Sequence, residues 1–291
     1  MEVKPAQAPL LLVTMLTASM TAGCGPAFNT RLTALNLPET CPTAIEDALA
    51  PVNTDPIRAS ETQLSCALDA VRHMQPTRAP ESLEASKICA ILAEACPDTE
   101  EGVKRRHALA WEGVKWAEHA MATGAYIDPA SSYYYSTNLG LAVNDNIAAA
   151  VKNLGKLHRH IERALSMDPD VDEGGPLRTL GYLLVRAPAW PIGIGDEERG
   201  LTLVEQAVTI YPNYPPNQFI MARAVWESTE DEELALFHIR EGIDLMRTKN
   251  FGVRHESWKR ALRKLIDDVV EDESLHDELI NQVDEPSNPN T

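Results

Sequence analysis

Basic side chains are scarce in this sequence, which has 26 lysines and arginines against 43 aspartates and glutamates and a formal net charge of -17. Phosphate binding requires a basic face, so the composition argues against nucleic acid as a partner. It also argues against electrostatic attachment to an anionic membrane surface. Because the hydrophobic fraction of 44% is that of an ordinary soluble protein, the acidic balance by itself indicates only solubility.

Catalytic and metal-binding motifs are also missing. The chain contains neither G-x-S-x-G nor H-E-x-x-H, and its eight histidines are dispersed. Asp168, Asp170 and Asp172 alternate as in a calcium loop, but Glu173 and Thr179 stand where such a loop needs glycine and glutamate. An acidic turn between two helices accounts better for these residues. We therefore expect no enzyme activity, no cofactor and no metal site.

The start of the chain contains a short apolar run, Pro9 to Ala18, which is too short to cross a membrane. It leads into Thr21-Ala22-Gly23-Cys24, where a small pair before a cysteine resembles the cleavage box of bacterial lipoproteins. In that class the cysteine is acylated and becomes the new N-terminus. We predict a signal peptide at 1–23 and a lipid on Cys24; the alternative is a buried free cysteine on an N-terminal helix. Gly25 follows rather than aspartate, which by analogy with Gram-negative lipoproteins favours an outer-membrane anchor facing the periplasm.

Four cysteines remain after Cys24, namely Cys41, Cys66, Cys89 and Cys96. An even set in an exported protein predicts two disulfides. Cys89 and Cys96 lie about 10 Å apart on one predicted helix, too far to pair with each other. Each is therefore expected to pair with Cys41 or Cys66. The alternatives are four buried thiols or a metal site, and the metal site is disfavoured because the chain has no C-x-x-C spacing.

The stretch 174–217 predicts two helices folded against each other. The first runs from about Pro176 to Arg186, and the second from about Asp196, its N-cap, to Tyr211. Small residues mark the crossing in the pattern of a tetratricopeptide repeat, which this stretch resembles. The pattern consists of Leu180-Gly181, then Gly200, Val204, Ala207 and Pro212. The link between the helices is about seven residues too long for a plain repeat because of the insert Ala187 to Gly195.

The pattern recurs on both sides of this stretch. The preceding copy has the same four-three-five spacing, in Leu139-Gly140, Leu157, Ile161, Ala164 and Pro169. Eroded copies lie upstream, at Gly113, Ala117 and Ala120, and downstream, at Ala235 and Ile239. Four copies exceed the three or so that stacked repeats need. The predicted fold is all-α, a tetratricopeptide-like helical-hairpin solenoid with long interhelix loops.

The predicted organisation follows from these signals. It comprises a signal peptide (1–23), a tether (24–40), disulfide-stapled helices (41–98), helical repeats with a C-terminal capping helix (99–275), and a weak helix with a disordered tail (276–291). Within the repeats, the segment from Ile147 to Met167 is predicted to bury one apolar stripe. The stripe consists of Ile147, Val151, Leu154, Ile161 and Leu165.

The central sequence resembles a family, the T component of TRAP transporters, a set of bacterial envelope lipoproteins. Three motifs carry the resemblance: the helix start DPDVDEGGPLRTLG, the loop APAWPIGIGD and the exit PNYPPN. The aromatic segment Ser132 to Leu141 also fits, and the resemblance covers about Gly102 to Trp226. It implies a tetratricopeptide-like body that is a partner of a periplasmic solute-binding protein. It also implies an internal channel or pocket suited to an apolar ligand.

Two functional hypotheses follow. The first is a lipid-anchored receptor that docks a solute-binding protein or holds a small apolar or carboxylate ligand. The second is an envelope scaffold or assembly protein that grips a protein or peptide in its repeat groove; a homo-oligomer is compatible with either. The insert from Ala187 to Gly195 is the expected functional element. Its candidate binding residues are Trp190, Arg178, Arg186, Tyr133, Tyr134 and Asn217. Alternatively, Trp190 folds back as a hydrophobic plug and the arginines pair with Asp172 or Glu173.

Overall fold

The computed structural model describes residues 35, 37–55, 58–74 and 78–285, and over these residues every regular element is an α-helix. The helices are α1 (Ile45–Thr54), α2 (Glu61–Met74), α3 (Ala79–Ala95), α4 (Glu100–Thr123), α5 (Pro129–Val143), α6 (Ile147–Met167), α7 (Gly175–Arg186), α8 (Glu197–Ile210), α9 (Pro215–Thr229), α10 (Glu232–Thr248), α11 (Arg254–Val269) and α12 (Glu273–Asp284). The predicted all-α class is confirmed. None of these twelve helices is long and apolar enough to cross a membrane.

Parts of the predicted organisation lie outside the described residues. They are the signal peptide (1–23), the lipidation site Cys24 and the tail 286–291. Of the predicted tether, residues 35 and 37–40 are described, and they are not helical.

Side chains that accept hydrogen bonds from the first turn begin several of the helices. The Thr99 hydroxyl accepts from the Gly102 amide at 3.1 Å, and the Asp231 carboxylate accepts from the Leu234 amide at 3.0 Å. Asp196 caps α8 by accepting from the Arg199 amide at 3.1 Å, so its predicted role as N-cap is confirmed. Each cap satisfies an amide that has no partner within its own helix. These local signals explain why the helices begin where they do.

The odd-numbered helices from α3 to α11 form an inner ring. In this ring α3 contacts α5, α5 contacts α7, α7 contacts α9, α9 contacts α11, and α11 returns to α3. The even-numbered helices pack outside it, each of α4, α6, α8 and α10 against the two inner helices that flank it in the chain. Successive helices therefore form antiparallel hairpins, and the inner helix of each hairpin faces the ring interior.

Hydrogen bonds close the ring between its first and last helices. One Nη atom of Arg260 on α11 donates to the carbonyl oxygens of Ala95 and Cys96, both at 3.1 Å. Next to α11, the Val253 amide donates to the Ala59 carbonyl at 3.2 Å. The Arg260 bonds hold α11 against the end of α3, and the Val253 bond joins the start of α11 to the segment before α2.

The predicted crossing of α7 and α8 at small residues is confirmed, because Gly181 lies against Gly200 and Val204. Its expected counterpart, Gly140, is different: a Cβ atom added there would meet nothing within 4 Å. Gly140 therefore makes no close approach to α6. Helix α5 does lie close to α4, at Gly113, where an added Cβ would lie 2.2 Å from Asn138 Oδ1. The Leu-Gly pair of the preceding copy therefore does not mark a crossing.

The predicted buried stripe of α6 is wrong over the first half of the helix. Ile147 and Val151 are 83% and 64% exposed, whereas Ile161 is fully buried. At 1.5 Å per residue, the 21 residues of α6 span about 31 Å and the 12 residues of α7 span about 18 Å. The N-terminal half of α6 therefore extends beyond the helix against which its second half packs.

The C-terminal cap includes a helix that the sequence only weakly indicated. α12 begins at Glu273 and ends at Asp284, and it contacts α10 and α11. Leu279 and Val283 on α12 are buried in this contact. The weak helix expected within 276–291 is therefore a packed capping helix that begins earlier, at Glu273.

One disulfide, between Cys41 and Cys66, ties the segment before α1 to α2. The prediction that Cys89 and Cys96 would pair with these residues is wrong, because within the described residues both are free and buried. Cys41 and Cys66 already lie within disulfide range of each other, with a Cα–Cα distance of 5.4 Å. Cys96, at the end of α3, instead donates to the Leu92 carbonyl at 3.3 Å.

Candidate functional site

A cavity of about 250 Å³ lies inside the ring of odd-numbered helices, and all five of them line it. Glu94 lines it from α3, Tyr134 from α5, Arg178 from α7, Ile220 from α9 and Arg254 from α11. Pockets for drug-sized ligands usually measure about 300 to 1,000 Å³, so this cavity has room for a small molecule and not for a folded peptide.

The carboxylate of Asp172, in the turn between α6 and α7, is the centre of the polar network at the cavity. It accepts hydrogen bonds from the Tyr133 hydroxyl at 2.7 Å and from the Tyr214 hydroxyl at 3.2 Å. It also forms an ion pair with Arg178 and lies 3.6 Å from Nη1 of Arg254. Helices α5, α7, α9 and α11 therefore converge on one carboxylate.

The backbone of this turn is held in an uncommon conformation. Asp172, Glu173 and Gly174 have consecutive positive φ angles of 52°, 52° and 80°. A positive φ is uncommon for residues other than glycine and persists only where surrounding contacts enforce it. Here Nη1 of Arg178 donates to the carbonyl oxygens of Asp172 at 2.8 Å and Glu173 at 3.2 Å. Asn217 on α9 donates to the same Glu173 carbonyl at 3.1 Å.

Charge within the network is fixed by its neighbours. Burial acts to raise the pKa of Asp172, but Arg178, Arg254 and the hydrogen bond from Tyr133 outweigh burial, so the pKa of this carboxyl is lowered. Burial is also the main cause that raises the pKa of the Tyr133 and Tyr214 hydroxyls. At neutral pH the network therefore contains two cationic arginines, one carboxylate and neutral tyrosines.

Glu94 is the second acid at the cavity and differs from Asp172. Its carboxylate oxygen lies 3.4 Å from Nε of Arg254, and its side chain is 42% accessible while that of Arg254 is 7% accessible. Burial among protein atoms raises the pKa of Glu94, an effect that Arg254 only partly offsets. The Glu94 side chain forms part of the cavity wall and is partly accessible to solvent.

Two side-chain donors that α11 places at the cavity have no hydrogen-bond partner among the described residues. They are Nε of Arg254 and Nε1 of Trp258, both buried, and both residues line the cavity. A buried donor without a partner lowers the stability of the fold by about 1 to 3 kcal/mol, so its retention calls for a functional explanation. Both N–H groups are suited to donate a hydrogen bond to an oxygen atom of a ligand.

The structure separates the six candidate binding residues into three groups. Arg178, Tyr133 and Tyr134 line the cavity, and Asn217 is buried beside Arg178, with its Oδ1 3.3 Å from Nη1. Arg186 lies outside the cavity, where it donates to Glu227 at 3.2 Å. The alternative that an arginine pairs with Asp172 is confirmed for Arg178. The sequence does not indicate several other cavity residues, namely Glu94, Tyr214, Arg254 and Trp258.

Trp190 belongs to neither the cavity nor the core. Its side chain is 84% exposed, so the alternative that it folds back as a plug is wrong. The insert closes on itself instead: the Gly195 amide donates to the Pro188 carbonyl at 2.8 Å, and Ala189 forms an isolated bridge with Gly195. Ile192 in the same loop is 88% exposed. The loop therefore presents two large apolar side chains to solvent.

No model of a known protein family matches the sequence, and no curated protein matches it with significance. Over the described residues, no group of three or more histidines, cysteines, aspartates and glutamates is placed to hold a metal ion.

Proposed function

We propose that this protein is a lipid-anchored receptor of the bacterial envelope that holds a small ligand inside a ring of helical hairpins. In this proposal it acts as the T component of a TRAP transporter and passes or presents the ligand to a periplasmic solute-binding protein. The motifs around DPDVDEGGP, APAWPIGIGD and PNYPPN support the family, and the box ending at Cys24 supports the anchor. An outer-membrane location facing the periplasm is part of the same proposal.

The observation that carries the proposal is the pair of buried arginines at a cavity inside an acidic protein. Arg178 and Arg254 are 7% and 5% exposed. Removing a guanidinium from water is costly, and apolar residues of similar volume often stabilise a core as well as a buried ion pair does. Arginine is the preferred partner of carboxylates in binding sites because its donors match their geometry. A role in ligand recognition therefore explains the two arginines better than stability does.

The arrangement of helices supports the tetratricopeptide-like part of the proposal. Successive hairpins pack side by side, and the inner helices of α3 to α11 contact one another in sequence order. Stacked hairpins of this kind bury a continuous core between neighbours and present their inner helices to a common interior. The contact between α11 and α3 joins the first and last inner helices, so the repeats surround a cavity where an open solenoid would have a groove.

A second candidate function, docking of a protein partner, is favoured by the loop from Ala187 to Gly195. Its exposed Trp190 and Ile192 are the kind of side chains that anchor interfaces. This candidate is compatible with a receptor that meets a solute-binding protein, and equally with an envelope scaffold. The small interior, with a cavity of about 250 Å³, argues against a scaffold that grips a peptide within the repeats.

Native mass spectrometry of the protein purified from its own envelope tests the proposal. We expect an acyl chain on Cys24 and a bound small molecule that is lost from the Arg254→Gln variant. Arg186→Gln is the matched control, because this arginine is exposed and lies outside the cavity. Thermal unfolding of both variants checks that they are folded. A folded wild-type protein that carries no small molecule, and binds none from an envelope extract, contradicts the receptor proposal.

A further inference from the structure

The cavity contains two arginines, and the single carboxylate of Asp172 balances the charge of only one of them. Arg178 and Arg254 face Asp172, and Glu94 is the remaining acid. With Glu94 ionised, the two arginines and two carboxylates cancel. With Glu94 protonated, the site has a net charge of one positive unit. The protonation state of Glu94 therefore decides whether the cavity is neutral or matched to an anion.

The two arginines are not equally available to a ligand. Nη1 and Nη2 of Arg178 donate to the turn carbonyls, to Asn217 and, at 3.0 Å, to the Tyr133 hydroxyl. Arg254 donates through Nη1 to the Tyr214 hydroxyl at 3.0 Å; its Nε faces a Glu94 oxygen at 3.4 Å and has no hydrogen bond within the described residues. Arg254 is thus the cation with capacity left for an incoming group.

Glu94 is the acid with a side chain open to the cavity, and the groups that face it come from several elements. The charged ones are Arg254 on α11, Asp172 in the α6–α7 turn and Arg178 on α7. Tyr214, the N-cap of α9, also interacts with Glu94, and the Tyr214 hydroxyl stays neutral because burial raises the pKa of Tyr214. Burial likewise favours the neutral form of Glu94. A protonated carboxyl can donate one hydrogen bond, which an ionised one cannot.

Taking these observations together, we propose that the cavity binds a small monocarboxylate with an apolar body, and that binding is coupled to the uptake of one proton by Glu94. This inference rests on the proposed receptor function. The ligand carboxylate pairs with Arg254 and accepts hydrogen bonds from the protonated Glu94 and from Nε1 of Trp258. The apolar body contacts Tyr134, Ile220 and the Trp258 ring. The proton comes from solvent and stays between the two carboxyl groups, so no bond other than that O–H is formed.

Proton coupling makes the binding depend on pH in a defined direction. Above the pKa of Glu94 in the free protein, binding of each anion is accompanied by uptake of one proton by Glu94. The affinity for the anion therefore falls by up to about tenfold for each unit by which the pH rises. Below that pKa, Glu94 is already protonated and the affinity no longer changes through this group. A receptor of this kind holds its ligand in mildly acidic surroundings and releases it as the pH rises.

The test uses four small probes that share a phenyl group and differ in charge: phenylacetate, phenylacetamide, phenylalanine and phenethylamine. Calorimetric titrations at about pH 6 and about pH 8, in two buffers of different ionisation enthalpy, report both affinity and proton uptake. We expect the anion to bind best, at least about tenfold more tightly at the lower pH, with about one proton taken up at the higher pH.

Variants separate the roles of the two residues. Glu94→Gln should bind phenylacetate with nearly equal affinity at both pH values and without proton uptake, and Arg254→Gln should lose phenylacetate binding. Glu100→Gln is the control and should behave as the wild type, because Glu100 is an exposed residue at the start of α4. Proton uptake that persists in Glu94→Gln overturns the inference. So does a preference for phenylalanine that Glu94→Gln abolishes, since the site then recognises a zwitterion.

Failure of the inference and failure of the receptor proposal give different results. If the wild type binds the neutral or cationic probe as well as the anion, the cavity is a ligand site but the inference is wrong. If no probe binds, the compound retained by the envelope-purified protein decides: one without an acidic group overturns the inference. The absence of both probe binding and a retained compound contradicts the receptor proposal and the inference together.

Discussion

Gly181 and Gly200 lie against each other where α7 crosses α8. A Cβ atom on Gly181 would lie 2.7 Å from the Gly200 carbonyl oxygen, and a Cβ atom on Gly200 would lie 2.7 Å from the Gly181 carbonyl oxygen. Side chains do not tolerate contacts this short with a neighbouring backbone, so both positions require glycine. The crossing presses α8 against α7, the helix that carries Arg178 into the cavity.

Substitution of Gly181 by alanine should destabilise the protein by about 1 to 3 kcal/mol, because the added methyl group overpacks the crossing. The matched control is Gly155→Ala on α6, where an added Cβ meets nothing within 4 Å. There the change should be neutral or stabilising by up to about 1 kcal/mol, since alanine restricts the unfolded chain. Denaturant unfolding measures both variants, and equal stabilities for the two would show that α7 and α8 are not in close contact.

Local signals predicted most of the helices, and they did so for physical reasons. The N-cap at Asp196 and the small residues at Gly181 and Gly200 act within one hairpin, where sequence spacing translates directly into geometry. Closure of the ring could not be predicted this way. It depends on contacts such as that of Arg260 with the end of α3, which join residues far apart in the chain and leave no periodic pattern.

The same limit applies to the cavity. The sequence indicates Arg178 because it lies on the helix before the insert, and it indicates Tyr133 and Tyr134 because adjacent repeats are expected to stack in order. Glu94 and Arg254 come from helices whose sequences contain no motif, and only the packing of α3 against α11 brings them together. Trp190 was chosen for its residue type, which cannot distinguish a pocket wall from an exposed loop.

The four cysteines after Cys24 should separate into two pairs with different reactivity. In the folded protein all four should resist alkylation, since Cys41 and Cys66 are bonded and burial shields Cys89 and Cys96 and raises the pKa of their thiols. Unfolding without reductant should expose Cys89 and Cys96 to labelling, and reduction should add the other two. Peptide mapping identifies the labelled positions. Protection of Cys89 and Cys96 in denaturant would reveal a second disulfide.

Asp172→Asn should destabilise the protein by about 3 to 5 kcal/mol, because it leaves Arg178 and Arg254 without their shared carboxylate. The pKa of Asp172 is lowered on folding, so its contribution is present above the pKa of the unfolded chain and is lost as the pH falls through the folded value. The variant should therefore approach wild-type stability in strong acid. Asp170→Asn serves as the control, because Asp170 is an exposed residue of the same turn. Similar unfolding curves for the two variants at neutral pH would contradict the central role of Asp172.

Glu94→Gln should have the opposite pH dependence in the ligand-free protein. Folding raises the pKa of Glu94, so its contribution is fully present below the unfolded pKa and is lost as the pH rises through the folded value. The variant cannot ionise at this position and should gain stability relative to the wild type as the pH increases. Unfolding curves from mildly acidic to mildly alkaline pH measure this difference. A stability difference that does not change with pH would show that Glu94 titrates as it does in the unfolded chain.

Trp190→Ala should leave the fold intact and weaken contact with a protein partner. Because the side chain is 84% exposed, its truncation should change the free energy of unfolding by no more than about 0.5 kcal/mol. An exposed tryptophan that anchors an interface commonly contributes about 2 kcal/mol or more to binding. Trp111→Ala, on α4 and 43% exposed, is the control. Cross-linking in the native envelope, followed by mass spectrometry, should show fewer cross-linked products for Trp190→Ala alone. Equal cross-linking of both variants would exclude the loop from the interface, and a large loss of stability would mean that Trp190 is packed in the folded protein.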